Sequence, residues 1–178
     1  IFNGEIYNHW KIRKKLVSKG YIFNSTSDTE TLLNAWCEWG KACIDFCDGI
    51  FSFSIFDKKE KKIFIARDQY GVKPLYIYSK NRTIAFSSEI KALLNLKDFD
   101  SSLNLSSIVN YLTFLWSPGS QTMYQSVNKL LPGHILEVDT QTLKIKNKKF
   151  KNKQSFNGEY WDFSEKEWVK KIDDQLNK

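Results

Sequence analysis

Asn3 and Gly4 stand together near the start of the chain, within the run Ile1 to Asn8, IFNGEIYN, where an extended segment breaks into a turn. An Asn side chain supplies a neutral N–H donor, and a glycine leaves its backbone N–H unobstructed by a Cβ. Two such donors converging on one oxygen stabilise the charge that develops when an amide carbonyl is attacked. Asn-Gly is also an ordinary turn dipeptide, so the chemistry rests on what accompanies it. The thiols on offer are Cys37, Cys43 and Cys47. They are odd in number, lack the paired short spacings of a zinc site, and include two one helical turn apart, so they read as buried thiols in a reducing cytosol. No metal site is expected. His9 and His134 are lone imidazoles with no matched acid nearby in sequence and read as structural or exposed.

The elements that must position Asn3 and Gly4 follow from pattern. Asn8 can cap a first helix in which Ile12 and Leu16 share a face, with Gly20 as its stop. Ser27 and Glu30 have the spacing of a capping box, and Leu32, Leu33, Trp36 and Cys37 follow on one side of a second helix. The alternating run from Ile50 to Phe56, the polar turn from Asp57 to Lys62 and the return from Ile63 to Ala66 read as a hairpin. Leu75 to Tyr78 and Thr83 to Phe86 read as a second. Arg67, Asp68, Gly71 and Pro74 between them read as a turn held by polar pairing. Ser87 is placed to cap a short helix carrying Ile90, Leu93 and Leu94, and Leu105, Ile108, Val109 and Leu112 mark another. Ile135 to Val138 and Leu143 to Ile145 predict a last hairpin, ending in a lysine tract. The polar stretch from Gln154 to Asp162 reads as a linker, after which Ser164 and Glu167 open a helix with Trp168, Val169, Ile172 and Leu176 on one face. Helices flanking paired hairpins predict an α+β layered fold.

The chain's 178 residues can bury one core with room for a linker or a piece of a second domain. It starts without Met and inside a strand pattern, and it reads as an internal piece of a longer protein. The net charge of +7 suggests nucleic acid at first sight, but six lysines fall in residues 144–153, where there is no acidic residue. A charge concentrated in one such segment reads as a solvated strand edge or linker, and no nucleic-acid partner is expected. No apolar run reaches the roughly 18 residues of a membrane span, and no signal sequence opens the chain, so a cytoplasmic protein without membrane contact is expected.

Beyond IFNGEIYN, the chain carries Ser27-Asp28-Thr29-Glu30, Arg67-Asp68-Gln69-Tyr70-Gly71-Val72-Lys73-Pro74-Leu75-Tyr76, Ser87-Ser88-Glu89-Ile90-Lys91-Ala92-Leu93 and Leu130-Leu131-Pro132-Gly133-His134. In that order and spacing the set resembles the class II glutamine amidotransferase domain of glutamine-hydrolysing asparagine synthetases. The resemblance implies the αββα sandwich of the N-terminal-nucleophile hydrolases, truncated here at its N-terminus. It implies an amidotransferase domain over residues 1–150, and over residues 151–178 a linker and the start of a synthetase domain.

The resemblance also implies roles. Asn3 and Gly4 match the family's oxyanion-hole pair, acting on bound glutamine through the Asn3 side chain and the Gly4 backbone. Asp28 matches the carboxylate that receives the substrate ammonium group. As the first residue of a capped helix it would equally complement the helix dipole. Glu5 lies beside the substrate by motif position. The family's nucleophile is a terminal cysteine, which Ile1 is not, so this chain alone is expected to be inactive. Aspartate, ATP and Mg²⁺ would belong to a second domain with an SGGLDS loop, absent here, and a homodimer is one assembly open to the whole enzyme. Ser52 and Ser54 depart from the alanines usual in the family. Two other readings stand beside this one: an amidotransferase serving another acceptor, such as a surface-polysaccharide sugar acid, and a non-catalytic binding domain.

Overall fold

The structure, a computed structural model, describes residues 1–150 and 163–177. Phe2–Ile6 forms β1, His9–Val17 α1 and Asp28–Trp39 α2, followed by a 3-10 turn over Gly40–Phe46. Gly49–Asp57 (β2) and Lys62–Arg67 (β3) form the first hairpin, and Tyr76–Lys80 (β4) and Thr83–Ser87 (β5) the second. Ile90–Leu93 (α3), Leu105–Phe114 (α4) and Val127–Lys129 (β6) precede the last hairpin, His134–Asp139 (β7) and Ile145–Lys149 (β8). Glu165–Leu176 is α5.

All strand pairs are antiparallel and fall into two sheets, β1-β2-β3-β7-β8 and β5-β4-β6. Strand alternation sorts the apolar side chains to the two faces of each sheet. Phe51, Phe53, Phe64 and Ala66 turn to one face of the larger sheet, where Ile12, Leu16, Leu32 and Trp36 of α1 and α2 cover them. Ile65, Leu136 and Val138 turn to the other face and meet Ile77 of the smaller sheet with Leu75 and Leu130, which flank β4 and β6. Tyr78 and Val127, on the outer face of that smaller sheet, pack with Leu93 and Ile90 of α3. The layers are therefore helix, sheet, sheet, helix, the αββα order that the resemblance implies.

Several local readings change. Ser27 caps α2 by accepting the Glu30 N–H at 3.2 Å, but the Glu30 carboxylate turns to the N–H groups of Asn24 and Ser25 instead of closing the box. Asn8 makes no side-chain cap; its amide donates to the Phe46 carbonyl and accepts from the Asp48 N–H, pinning α1 to the entry of β2. Leu33 and Cys37 are exposed, because the buried stripe of α2 runs through Thr31, Leu32, Ala35 and Trp36. Ser87 ends β5 and its hydroxyl accepts from Glu89, which is the N-cap of α3. In α4 the buried residue is Ser107, and Leu105, Val109 and Leu112 face outward. The lysine tract does not follow the last hairpin but supplies its second strand, β8, at an edge of the larger sheet, where charge blocks further strand pairing. The linker predicted from Gln154 to Asp162 lies outside the described residues. Ser164 does open α5, with its backbone N–H bonded to Glu167 at 2.8 Å.

Candidate active site

Asn3 and Gly4 lie in β1, which within the described residues pairs on one side only, with β2. Ile1 and Ser54 exchange both backbone bonds at 2.9 Å, and Tyr7 donates to the Asp48 carbonyl at 2.8 Å. Antiparallel ladders alternate, so the odd-numbered residues of β1 turn their amides toward β2 and the even-numbered ones turn theirs off the edge. The Gly4 N–H therefore points away from the sheet. Ile6 obeys the same rule, and its outward N–H is taken by the Asp28 carboxylate at 3.0 Å.

Gly4 must be glycine for two reasons. Its φ of +148° disfavours an L side chain, and a Cβ would come within 2.1 Å of the Ile50 carbonyl oxygen. Asn3 stands opposite Ser52 in the register, its side chain exposed at the mouth of a cleft of about 260 Å³ between the two sheets. Its Nδ2 donates to the Ser88 hydroxyl at 3.2 Å. Ser52 and Ser54 are buried and line that cleft. Glu5 is exposed on the same face of β1 as Asn3, and Ile6 is fully buried on the opposite face beneath the helices.

Asp28 is the first residue of α2, and Ser27 and Glu30 hold it there. The Glu30 carboxylate accepts from Asn24, from Ser25 and from the Ser25 hydroxyl, and these bonds keep it below the usual carboxylate range. The loop ahead of the helix is thereby fastened. With Oδ2 committed to Ile6, the Asp28 Oδ1 lies 3.5 Å from the Thr29 hydroxyl, at the positive end of the helix. Along β1, Asn3 and Ile6 are ~10 Å apart. The structure thus brings Asn3, Gly4 and Asp28 to the outer edge of one strand.

None of the three thiols reaches that edge. Cys43 and Cys47 are buried in the core on the helix side of the larger sheet, and burial pushes the Cys43 thiol well above its ordinary pKa. Cys37 is exposed on α2. The Arg67 and Asp68 turn is a scaffold: the Arg67 guanidinium donates to the carbonyls of Gly71, Lys73 and Leu130. The fully buried Asp68 carboxylate accepts from Tyr70, Val72 and Lys73. His134 Nδ1 lies 2.9 Å from the Pro132 carbonyl and takes no part in the site. Among the described residues, no group of three or more His, Cys, Asp or Glu side chains is placed to hold a cation, and no helix is long and apolar enough to cross a membrane.

A family model described as a glutamine amidotransferase domain matches residues 1–151. The chain belongs to the glutamine amidotransferase domain family. Its curated relatives include asparagine synthetase [glutamine-hydrolyzing] 3 of Bacillus subtilis, 35% identical over 147 residues that cover 82% of this chain and 24% of that protein. Asparagine synthetase [glutamine-hydrolyzing] 1 of the same organism is 37% identical over 133 residues, covering 75% of this chain and 21% of that protein. The amidotransferase domain described here thus spans about a quarter of the length of these relatives or less. Among solved structures it superposes on the glutamine phosphoribosylpyrophosphate amidotransferase of B. subtilis with a TM-score of 0.58, at 19% identity, covering 85% of this chain and 28% of that one. The shared architecture is the αββα sandwich.

Ser88 is the contact of Asn3 that no sequence signal singles out. It sits inside the run SSEIKAL, but nothing in spacing places the end of β5 against the side chain of Asn3, 85 positions earlier.

Proposed function

We propose that this chain is the glutaminase part of an ATP-dependent asparagine synthetase, with residues 151–178 forming a linker and the start of its synthetase domain. Glutamine is hydrolysed to glutamate and ammonia, and the ammonia amidates an activated aspartate in the cytosol. The observation that carries the glutaminase half is the outer edge of β1, where the Asn3 amide and the outward Gly4 N–H are joined by the Asp28 carboxylate, which α2 brings to Ile6 of the same strand. The aspartate half is supported by the names of the relatives.

In this reading Asp28 Oδ1 pairs with the substrate ammonium group, while Asn3 Nδ2 and the Gly4 N–H receive the oxygen of the side-chain amide. A thiol gives up its proton and attacks the amide carbon as thiolate, the C=O electron pair moves to oxygen, and the two donors stabilise the oxyanion until the C–N bond breaks and the nitrogen, taking up that proton, leaves as ammonia. Water then hydrolyses the thioester through a second oxyanion held by the same donors. The nucleophile comes from outside these residues, since all three cysteines lie elsewhere in the fold. ATP and Mg²⁺ would be held by the rest of the enzyme, where they would activate the aspartate carboxylate.

The experiment compares the purified 178-residue chain with the full-length gene product. The chain alone should release no ammonia from glutamine above buffer background, and the full-length protein should form asparagine from glutamine, aspartate and ATP. Ammonia release by the chain alone would place the nucleophile within it. Full-length protein that hydrolyses glutamine yet leaves aspartate unchanged would reject aspartate as the acceptor.

A further inference from the structure

Asn3 is exposed on an edge strand, so the rest of β1 does little to restrain its side-chain torsions. An oxyanion donor acts only if it is already aimed when charge develops, because reorientation during the reaction costs the stabilisation it supplies. The amide nitrogen carries two N–H groups, and one is engaged by the Ser88 hydroxyl at 3.2 Å, which leaves the second for a ligand. Ser88 in turn sits between two anchored elements. The strand before it, β5, is paired throughout with β4, and the Ser87 hydroxyl accepts the Glu89 N–H at the entry of α3. The bond therefore ties the edge of the larger sheet to a fixed point of the smaller one, across the mouth of the cleft lined by Ser52, Ser54 and Phe86.

We propose that Ser88 is a positioning residue that aims the Asn3 amide at the developing oxyanion. The proposal rests on the oxyanion role of Asn3 described above. Ser88 touches no reacting atom; it acts by restricting Asn3. Removing one neutral hydrogen bond of this kind should lower the glutaminase rate about 3- to 10-fold, well short of the loss from removing the donor itself. The effect belongs in kcat, since the ground-state grip proposed for glutamine runs through its ammonium group at Asp28 and the donor tightens on the transition state.

The experiment measures steady-state glutamate release and thermal melting of full-length protein carrying Ser88→Ala, Ser88→Thr or Asn3→Ala. The expected result is a 3- to 10-fold lower kcat for Ser88→Ala with an unchanged KM and melting temperature, recovery in Ser88→Thr, and a far larger kcat loss in Asn3→Ala. A normal kcat in Ser88→Ala beside a crippled Asn3→Ala would overturn the positioning role and leave the oxyanion hole intact. A near-normal Asn3→Ala would instead remove the oxyanion reading and this proposal with it. If Ser88→Ala fails to fold, Ser88→Thr and Ser88→Cys decide. Equal kcat in the two would reject the proposal, because a thiol is a much poorer hydrogen-bond partner than a hydroxyl.

Discussion

Asp28 Oδ2 accepts the Ile6 backbone N–H at 3.0 Å, joining the first turn of α2 to the outer edge of β1 across 22 positions of sequence. A free strand edge exposes amides that need partners, and a helix start favours an anion. One carboxylate satisfies both, and it is fastened from behind by the Ser27 cap and the Glu30 loop bonds. One of its oxygens is thus structural, and the other is available to a cation.

That division predicts a graded response at Asp28. Asp28→Asn keeps an oxygen that can accept from Ile6 but loses the charge, so the glutamine KM should rise roughly 10- to 100-fold, as for loss of a charged hydrogen bond, with little change in kcat. Asp28→Ala also frees the Ile6 N–H and should lower the melting temperature as well. Steady-state kinetics and melts of the full-length variants check this. A fall in stability without a rise in KM for Asp28→Asn would make the residue a helix and strand anchor only.

Gly4 gives a stability prediction. Gly4→Ala meets both an unfavourable φ and a 2.1 Å approach to the Ile50 carbonyl, whereas Gly119→Ala has a φ of +69° and nothing within 4 Å of the added carbon. The Gly119 change should cost about 1–2 kcal/mol, as for an L residue in the left-handed region. Gly4→Ala should cost at least about 2 kcal/mol more, or abolish folding. Urea denaturation midpoints of the two variants measure the difference, and equal midpoints would show that β1 shifts to admit the methyl group.

Glu137 predicts a pH dependence. Burial alone would raise its carboxyl pKa, but the Lys41 ammonium at 2.6 Å and Lys148 at 3.4 Å hold it below the ordinary range. A depressed folded-state pKa contributes stability that is fully present above the unfolded value of about 4.3 and is lost as pH falls through the folded value. Lys41→Met should therefore cost about 1–2 kcal/mol at pH 7 and progressively less below pH ~4, once the carboxyl is protonated in both proteins. Lys148→Met, the more distant and more exposed pair, should cost under about 0.5 kcal/mol. Denaturation of each variant at both pH values is the check; a deficit that persists unchanged at low pH would locate the Lys41 effect in its contact with Phe64.

Much of the fold was legible because its signals are local. The hairpin β2–β3 follows from alternation around a polar turn, and α2 from a cap followed by an apolar stripe. What escaped depends on contacts between distant segments. Asn8 looks like a cap, yet its amide serves Phe46 and Asp48, which only the folded chain brings near. The three-residue β6 carries too few residues for a period, and Leu105, Val109 and Leu112 have the spacing of a buried face though they point outward. At the site, Asn3, Gly4 and Asp28 were named from motif. The alternation that turns the Gly4 amide off the edge needed the register with β2, and Ser88 needed the packing of two sheets.

Asn3 supplies the sharpest test of the oxyanion hole. A residue that serves only as part of β1 would lose little rate on replacement by alanine or glycine, whereas a side-chain donor is lost equally in Asn3→Gly and Asn3→Ala. Loss of one such donor costs about 2.7–4 kcal/mol, so both variants should lose on the order of 100- to 1,000-fold in the glutaminase kcat, with a smaller change in KM. Asn3→Asp separates aim from charge. The carboxylate is nearly isosteric and can still accept from the Ser88 hydroxyl, but it presents negative charge to an oxygen that is gaining charge, so it should be at least as damaging as Asn3→Ala. Under the proposed function, ammonia-dependent asparagine formation should persist in all three variants, because that route bypasses glutamine hydrolysis. Steady-state rates with glutamine and with ammonia, measured on the full-length protein, give both numbers, and a near-normal glutamine-dependent rate for Asn3→Gly would mean that the side chain donates nothing to the transition state.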